Sequence, residues 1–408
     1  MDVFLEKKKL KANQQILISG SKSETNRLRL LQVLYPELQI ENASDSDDSR
    51  VMLQCLQSNS SIKDVHHAGT AMRFLTAFYA SQTGTEVVLT GSERMQQRPI
   101  HILVDALRSI GADVSYVKEE GYPPLQIKGK QLQSATVKIP ANISSQYISA
   151  LLLIAPKLEK GLQLELLGEC TSRPYIEMTL ALLNEIGVKT TFEDNTISVF
   201  PQPTIIPQTI TVESDWSSAS YFYELLAFAE MGASLTLQKL KKQSLQADRI
   251  VVDWYEKYFG VQTQFLPNDE ILLTKVSNQY PSFFEENLIE CPDIAQTIAV
   301  TCYGLGIEAK LTGLHTLKIK ETDRIVALKN ELEKFGAKVD CTHHSLHLHS
   351  RNARFPLSQN IAVDTYQDHR MAMCFAPLAL KTPLIINEAD VVTKSFVDFW
   401  PIFKTLVN

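Results

Sequence analysis

Basic side chains recur in this chain where small, apolar segments open. SGSKSETNR carries Lys22, Ser23 and Arg27, HAGTAMR carries Gly69 and Arg73, and ERMQQRP ends on Arg98. Further on, KIKETDR sets Lys320, Glu321, Asp323 and Arg324 side by side, DHR holds Asp368, His369 and Arg370, and Lys394 follows a strand-like run. A helix start has unpaired N–H groups and a partial positive charge, and a lysine or arginine beside it adds a full one. Several such starts converging on one place would bind something with several negative charges. Neutral donors stand at similar points: Ser144, Ser145 and Gln146 in SSQ, and Ser172 and Tyr175 in TSRPY. Singly these read as helix caps, and Ser217 and Ser218 are read the same way.

Each feature also has a plainer reading. The Lys22–Arg27 stretch is either an anion site or a capped helix with solvated charges, and it lacks the spacing of a Walker loop. Arg73 either meets a ligand or pairs internally with Asp47 or Asp48, because buried arginine needs a partner. Asp293, in ECPDIAQT, is either a structural carboxylate at a helix start or a general base. In THHSLHLHS, His347 and His349 would share one strand face. No carboxylate or cysteine completes a familiar metal spacing there, so a polar strand face and no metal are expected. No Ser-His-Asp order and no cysteine–base pair stands out.

The elements that must position these residues repeat. Apolar segments open at Gly69, Ser144, Ser217, Asp293 and Asp368, roughly 75 residues apart, with a sixth at Ser21. Between them run amphipathic segments from Arg98, Arg173, Asp248 and Asp323, ending in Gly111, Gly187, Gly260 and Gly336. Asp48–Gln57 and Asp398–Val407 read as weaker copies. The unit is strand, buried helix, strand, amphipathic helix and two strands, about six times. This predicts an α/β (α+β) fold of two domains with three βαβαββ units each. Polar joins near Leu17–Ser21 and Ile210–Asp215 place residues 21–213 in an inserted domain, and 1–20 with 214–408 in a discontinuous one.

Composition narrows the function. A length of 408 residues suits two or three domains, and no apolar run reaches the ~20 residues of a membrane span. The net charge of −6 argues against nucleic acid as a partner. The six cysteines form no C-x-x-C pair, and the first residues carry no secretory pattern, so a cytoplasmic location is expected.

As an ordered set, SGSKSETNR, HAGTAMR, LTGSERMQQRP, SSQ, TSRPYIE, SSASYF, PDIAQT, KIKETDR, DHRMAMCF and TKSF resemble the motifs of the 5-enolpyruvylshikimate 3-phosphate synthases, from about Ser19 to Phe396. The resemblance implies buried helices in both domains, an inside-out α/β barrel in each, and a cleft between them. It implies transfer of the enolpyruvyl group of phosphoenolpyruvate to the 5-hydroxyl of shikimate 3-phosphate, with release of phosphate through a tetrahedral intermediate. Carried over by motif, Lys22, Gly69, Arg98, Gln146, Arg324, Arg370 and Lys394 would hold phosphoenolpyruvate. Lys22, Ser23, Arg27, Ser144, Ser145, Gln146, Ser172, Tyr175, Asp293 and Lys320 would hold shikimate 3-phosphate. Asp293 and Glu321 would move protons, with Lys22 assisting. The implied partners are small anionic substrates, with no cofactor and a monomeric chain. The alternative is enolpyruvyl transfer to a UDP-N-acetylsugar, but that enzyme uses a loop cysteine, and Gly91–Pro99 has none. Three departures stand out: His67 for Asn, Phe74 for Pro, and Thr316-Leu317 for Asn-Trp. Phe74 lies one turn beyond Gly69, which predicts an altered response to glyphosate, a ligand of the phosphoenolpyruvate site.

Overall fold

The computed structural model describes residues 1–133, 136–168, 170–350 and 361–408. The chain forms two compact units: an inserted unit, Gly20–Val212, and a discontinuous unit of Met1–Ser19 with Glu213–Asn408.

The inserted unit holds α1 (Lys22–Leu34), α2 (Asp47–Gln57), α3 (Gly69–Ser81), the short α4 (Glu93–Gln96), α5 (His101–Ser109), α6 (Ser145–Ile154) and α7 (Arg173–Glu185). Of these, α3 and α6 are the most apolar. Every residue of α6 except Gln146 is buried, so it is enclosed by protein on all sides. By contrast, α5 buries only one stripe, Leu103, Val104, Ala106 and Leu107.

The discontinuous unit repeats this contrast with α8 (Trp216–Phe228), α9 (Val251–Tyr258), α10 (Ala295–Leu305), α11 (Arg324–Lys334), α12 (His369–Phe375) and α13 (Phe399–Leu406). Here α8 and α12 are buried along their whole length. Each unit therefore has its own apolar core around interior helices. Each large aliphatic or aromatic side chain fully buried there contributes about 1.5–3 kcal/mol. Amphipathic helices end where a left-handed residue is needed: Gly111, Gly187, Gly260 and Gly336 have φ of 96°, 90°, 68° and 84°.

Four repeats carry a full sheet of one design. In the first, Ile62–Asp64 pairs parallel with Glu86–Thr90, which pairs antiparallel with Leu125–Lys128, and that in turn with Asp113–Tyr116. The others begin at Thr136–Pro140, Gln14–Leu17 and Phe283–Asn287. The two weaker copies are shorter than the expected unit. Among the described residues, Gln208–Thr211 pairs with Leu38–Glu41 alone. Ile361–Val363 pairs with Leu384–Ile386, and Val3–Leu5 from the N-terminus completes that sheet. The two chain crossings explain this arrangement. Gln14–Leu17 ends in the discontinuous unit and the chain enters α1 of the other; Gln208–Thr211 ends in the inserted unit and the chain enters α8.

Candidate active site

In the discontinuous unit the charged residues gather around one guanidinium. Arg324 opens α11, where the Asp323 side chain caps the helix by accepting from the Val326 amide at 3.2 Å. Only 2 % of its side chain is exposed. Its Nε donates to Asp368 Oδ2 at 2.6 Å, Nη1 to Asp293 Oδ1 at 2.9 Å, and Nη2 to Glu321 Oε2 at 2.9 Å. Burial works against its charge, but Asp368, Glu321 and Asp293 outweigh that and raise its pKa.

Further cations converge on the same carboxylates. Arg370 Nη2 lies 3.2 Å and Lys320 Nζ 3.5 Å from Asp293. Lys394, at the end of the turn Ala389–Lys394, reaches Glu321 Oε1 at 2.6 Å. Asp368 caps α12 by accepting from the Arg370 amide at 2.9 Å. Asp293 is not a cap; it sits in the turn Pro292–Ile294 before α10 and is turned toward Arg324, Arg370 and Lys320. Behind it, Asp248 accepts a short hydrogen bond from Ser217, whose hydroxyl also receives Arg370 Nη2 at 3.4 Å. Burial pushes the Asp248 carboxyl up to about 7; the Asp293 charge adds to this, and Arg370 and Ser217 oppose it.

In the inserted unit the buried Arg27 is held by neutral hydrogen-bond partners. Arg27 on α1 donates through Nε to Thr179 Oγ1 at 2.7 Å, through Nη1 to the Ser23 carbonyl at 2.8 Å, and through Nη2 to Ser149 Oγ and the Tyr175 carbonyl at 3.1 and 3.0 Å. Burial lowers its pKa to about 10, with Tyr175 and Glu24 acting the other way. Its guanidinium lies over the Phe74 ring, 5.4 Å from the centroid. Lys22 pairs with Asp48 at 3.1 Å, and His67 lies 4.0 Å from the same carboxylate.

Gly69 opens α3, and the Arg98 guanidinium lies so close that a Cβ there would meet Nη1 at 2.7 Å. Gln146 donates to Thr70 Oγ1 at 3.1 Å. Ser144 caps α6, and Ser145 is that helix's buried first residue. Ser172 stands before α7 at φ 55°, and Tyr175 lies in the first turn of α7. Among the described residues no side chain caps α3 or α7.

The structure thus joins Asp293, Lys320, Glu321, Arg324, Arg370 and Lys394 into one network. It sets Gly69 against Arg98, Gln146 against Thr70, and Arg27 against the backbone of Ser23 and Tyr175. Several expectations are corrected. Ser217 and Ser218 are not caps: Asp215 caps α8 by accepting from the Ser218 amide, and Ser217 serves Asp248. Asp48 is held by Lys22 rather than Arg73, which donates to the Gly69 and Pro99 carbonyls and to Met95 Sδ. His347 and His349 do have carboxylates beside them, Glu308 and Asp340, supplied by other strands. Asp248, which accepts from Ser217 beside Arg370, was not singled out, and Asp48 was named only as a partner for Arg73. Asp368 was singled out with the charged triplet that opens an apolar helix, and it receives Arg324.

Two units with charged helix starts define an α/β enzyme equipped for anionic substrates. A family model, EPSP synthase (3-phosphoshikimate 1-carboxyvinyltransferase), matches residues 56–403. A 3-phosphoshikimate 1-carboxyvinyltransferase of Bacteroides fragilis (strain YCH46) is 43% identical over 389 residues, covering 94% of this chain and 93% of the relative. One from Haemophilus influenzae (strain PittEE) is 36% identical, with 96% of each chain covered. The fold matches a solved EPSP synthase from Acinetobacter baumannii with a TM-score of 0.78 at 19% identity, covering 100% of this chain and 99% of the other. The chain belongs to the EPSP synthase family.

Proposed function

We propose that the two clusters described above carry the family's reaction in this chain, with their residues in the following roles. The enolpyruvyl group of phosphoenolpyruvate passes to the 5-hydroxyl of shikimate 3-phosphate and phosphate leaves, a step of the shikimate pathway to aromatic amino acids. Arg27, Ser23, Ser144, Ser145, Gln146, Ser172 and Tyr175 hold shikimate 3-phosphate with Lys22, Asp293 and Lys320. Lys22, Gly69, Arg98, Gln146, Arg324, Arg370 and Lys394 hold phosphoenolpyruvate.

Asp293 takes the proton of the attacking hydroxyl while a proton from Glu321 reaches the methylene carbon, giving the tetrahedral intermediate. Loss of a proton from the new methyl to Glu321 expels phosphate and restores the double bond. The network supports these roles through competition. An incoming phosphate or carboxylate draws Lys394 from Glu321 and Arg370 from Asp293. A carboxylate that loses a cation binds protons more tightly. Substrate binding thereby prepares Glu321 to donate and Asp293 to accept.

The observation that carries this reading is one buried arginine holding both proposed proton carriers at 2.9 Å. The chain is read as a monomer in a reducing cytoplasm, and its six cysteines without disulfides fit that compartment. Phosphate release from phosphoenolpyruvate is the test. It should require shikimate 3-phosphate and not occur with UDP-N-acetylglucosamine; the reverse preference refutes the reading. Lys22→Ala should raise the KM for phosphoenolpyruvate.

A further inference from the structure

The outer face of the sheet containing Glu308–Thr312 and Leu346–Leu348 carries a second cluster. His347 and His349 alternate with Leu346 and Leu348, whose side chains enter the core, so the two imidazoles share the outward face. Their ring centroids are 4.1 Å apart. The flanking strands add carboxylates: Glu308 Oε1 is 2.8 Å from His347 Nε2, and Asp340 Oδ2 is 2.6 Å from His349 Nε2. One donor atom each from Glu308, His347 and His349 all lie within 4.8 Å of one another.

We propose that Glu308, His347 and His349 form a binding site for a divalent transition-metal ion of the zinc class. Two imidazoles and a carboxylate are a zinc donor set, and bonds of about 2.0–2.2 Å place tetrahedral ligand atoms roughly 3.3–3.6 Å apart. The three donor atoms lie within 4.8 Å of one another, and Glu308 Oε1 and His347 Nε2, at 2.8 Å, must part by about 0.5 Å to admit an ion between them. Supports are in place as well. The Ser350 amide hydrogen-bonds Glu308, and Asp340 fixes the His349 ring, as carboxylates do behind metal-bound histidines. Lys310, the nearest cation on Glu308's own strand, is already engaged by Glu285 at 2.7 Å, and Lys338 flanks Asp340. The site lies beyond the C-terminal end of α10, whereas Asp293 precedes its start, about 16 Å away by helix rise. It is therefore separate from the transferase chemistry.

The test is Zn²⁺ titration of the chelator-treated full chain against a chromophoric competitor, with Co²⁺ absorption reporting coordination. The native chain should take up one equivalent more than His347→Ala/His349→Ala, and His343→Ala/His344→Ala should match the native chain. Glu308→Gln should weaken binding about tenfold or more. Retained turnover shows that the variants are folded and separates this inference from the proposed function. Equal Zn²⁺ uptake by the native chain and His347→Ala/His349→Ala, including none by either, overturns it.

Discussion

Among the described residues, the side-chain caps of the discontinuous unit are aspartates, Asp215, Asp323 and Asp368 on α8, α11 and α12, and those of the inserted unit are serines, Ser21, Ser46, Ser92 and Ser144 on α1, α2, α4 and α6; α3, α5 and α7 in one unit and α9, α10 and α13 in the other have none. The same contrast runs through the buried arginines, since Arg324 is held by three carboxylates and Arg27 by hydroxyls and carbonyls. A carboxylate cap neutralises the positive end of a helix, whereas a hydroxyl or an empty cap leaves it for a ligand. One repeated scaffold has thus been filled in two ways. The inserted unit caps its helices with hydroxyls and holds its buried Arg27 with neutral acceptors, and the discontinuous unit uses carboxylates for both tasks.

The strongest test of this contrast is stability. Arg324→Met strands Asp368, which is fully buried, and should cost about 3–5 kcal/mol in urea denaturation. Arg27→Met strands no carboxylate that hydrogen-bonds it directly, Glu24 acting on it only through its charge, and Thr179 and Ser149 already bond to each other at 3.0 Å. Its loss should be smaller, about 1–3 kcal/mol. Equal losses would break the comparison.

Catalysis should follow the same division. Glu321→Gln should lower kcat by about 10²–10⁴ with modest change in KM, as loss of a proton carrier does. A change confined to KM would reassign Glu321 to binding.

Buried carboxylates extend into the interior of the discontinuous unit. Glu224 on α8 is enclosed near Tyr255, Cys302 and Cys374, and burial raises its pKa well above the usual value. The unfolded chain ionises this group from about pH 4.3 upward, while the folded chain keeps its proton. Stability therefore falls as pH rises, by about 1.4 kcal/mol per pH unit, until the folded pKa is reached. Glu224→Gln should match the native chain at pH 4 and melt at a higher temperature at pH 7. A constant difference between them would contradict this.

The smallest effect concerns Phe74, which lies beneath Arg27. Phe74→Leu should raise the KM for shikimate 3-phosphate through the loss of about 0.5–2 kcal/mol of cation–π contact. Glyphosate inhibition that is identical in the native chain and in Phe74→Pro would remove the expected link between this residue and the phosphoenolpyruvate site.

The repeats were legible because buried and amphipathic helices alternate along the chain, and glycines mark the ends of the amphipathic ones. The starts of α3, α6 and α11 could be placed from GTAMR, SSQ and KETDR alone. What the sequence withheld is whatever depends on pairing between distant strands and turns. Asp48 meeting Lys22, Asp248 meeting Ser217, and Glu308 and Asp340 meeting the histidine pair are all contacts across more than eight residues, and no local period encodes them. The two shortened repeats were read as weaker copies, but that they would have fewer paired strands among the described residues was not read. Ser217 and Ser218 were misread because Asp215, two residues earlier, is the better acceptor for the helix amides.

The most direct measurement compares the Asp293→Asn variant with the native chain in two assays, calorimetric binding of shikimate 3-phosphate and phosphate release from phosphoenolpyruvate. Retained binding with phosphate release reduced by two orders of magnitude or more is the predicted result, within the usual range of about 10²–10⁴ for a proton carrier. Phosphate release at the native rate would contradict the assignment of Asp293, and with it the view that Arg324 holds the proton carriers.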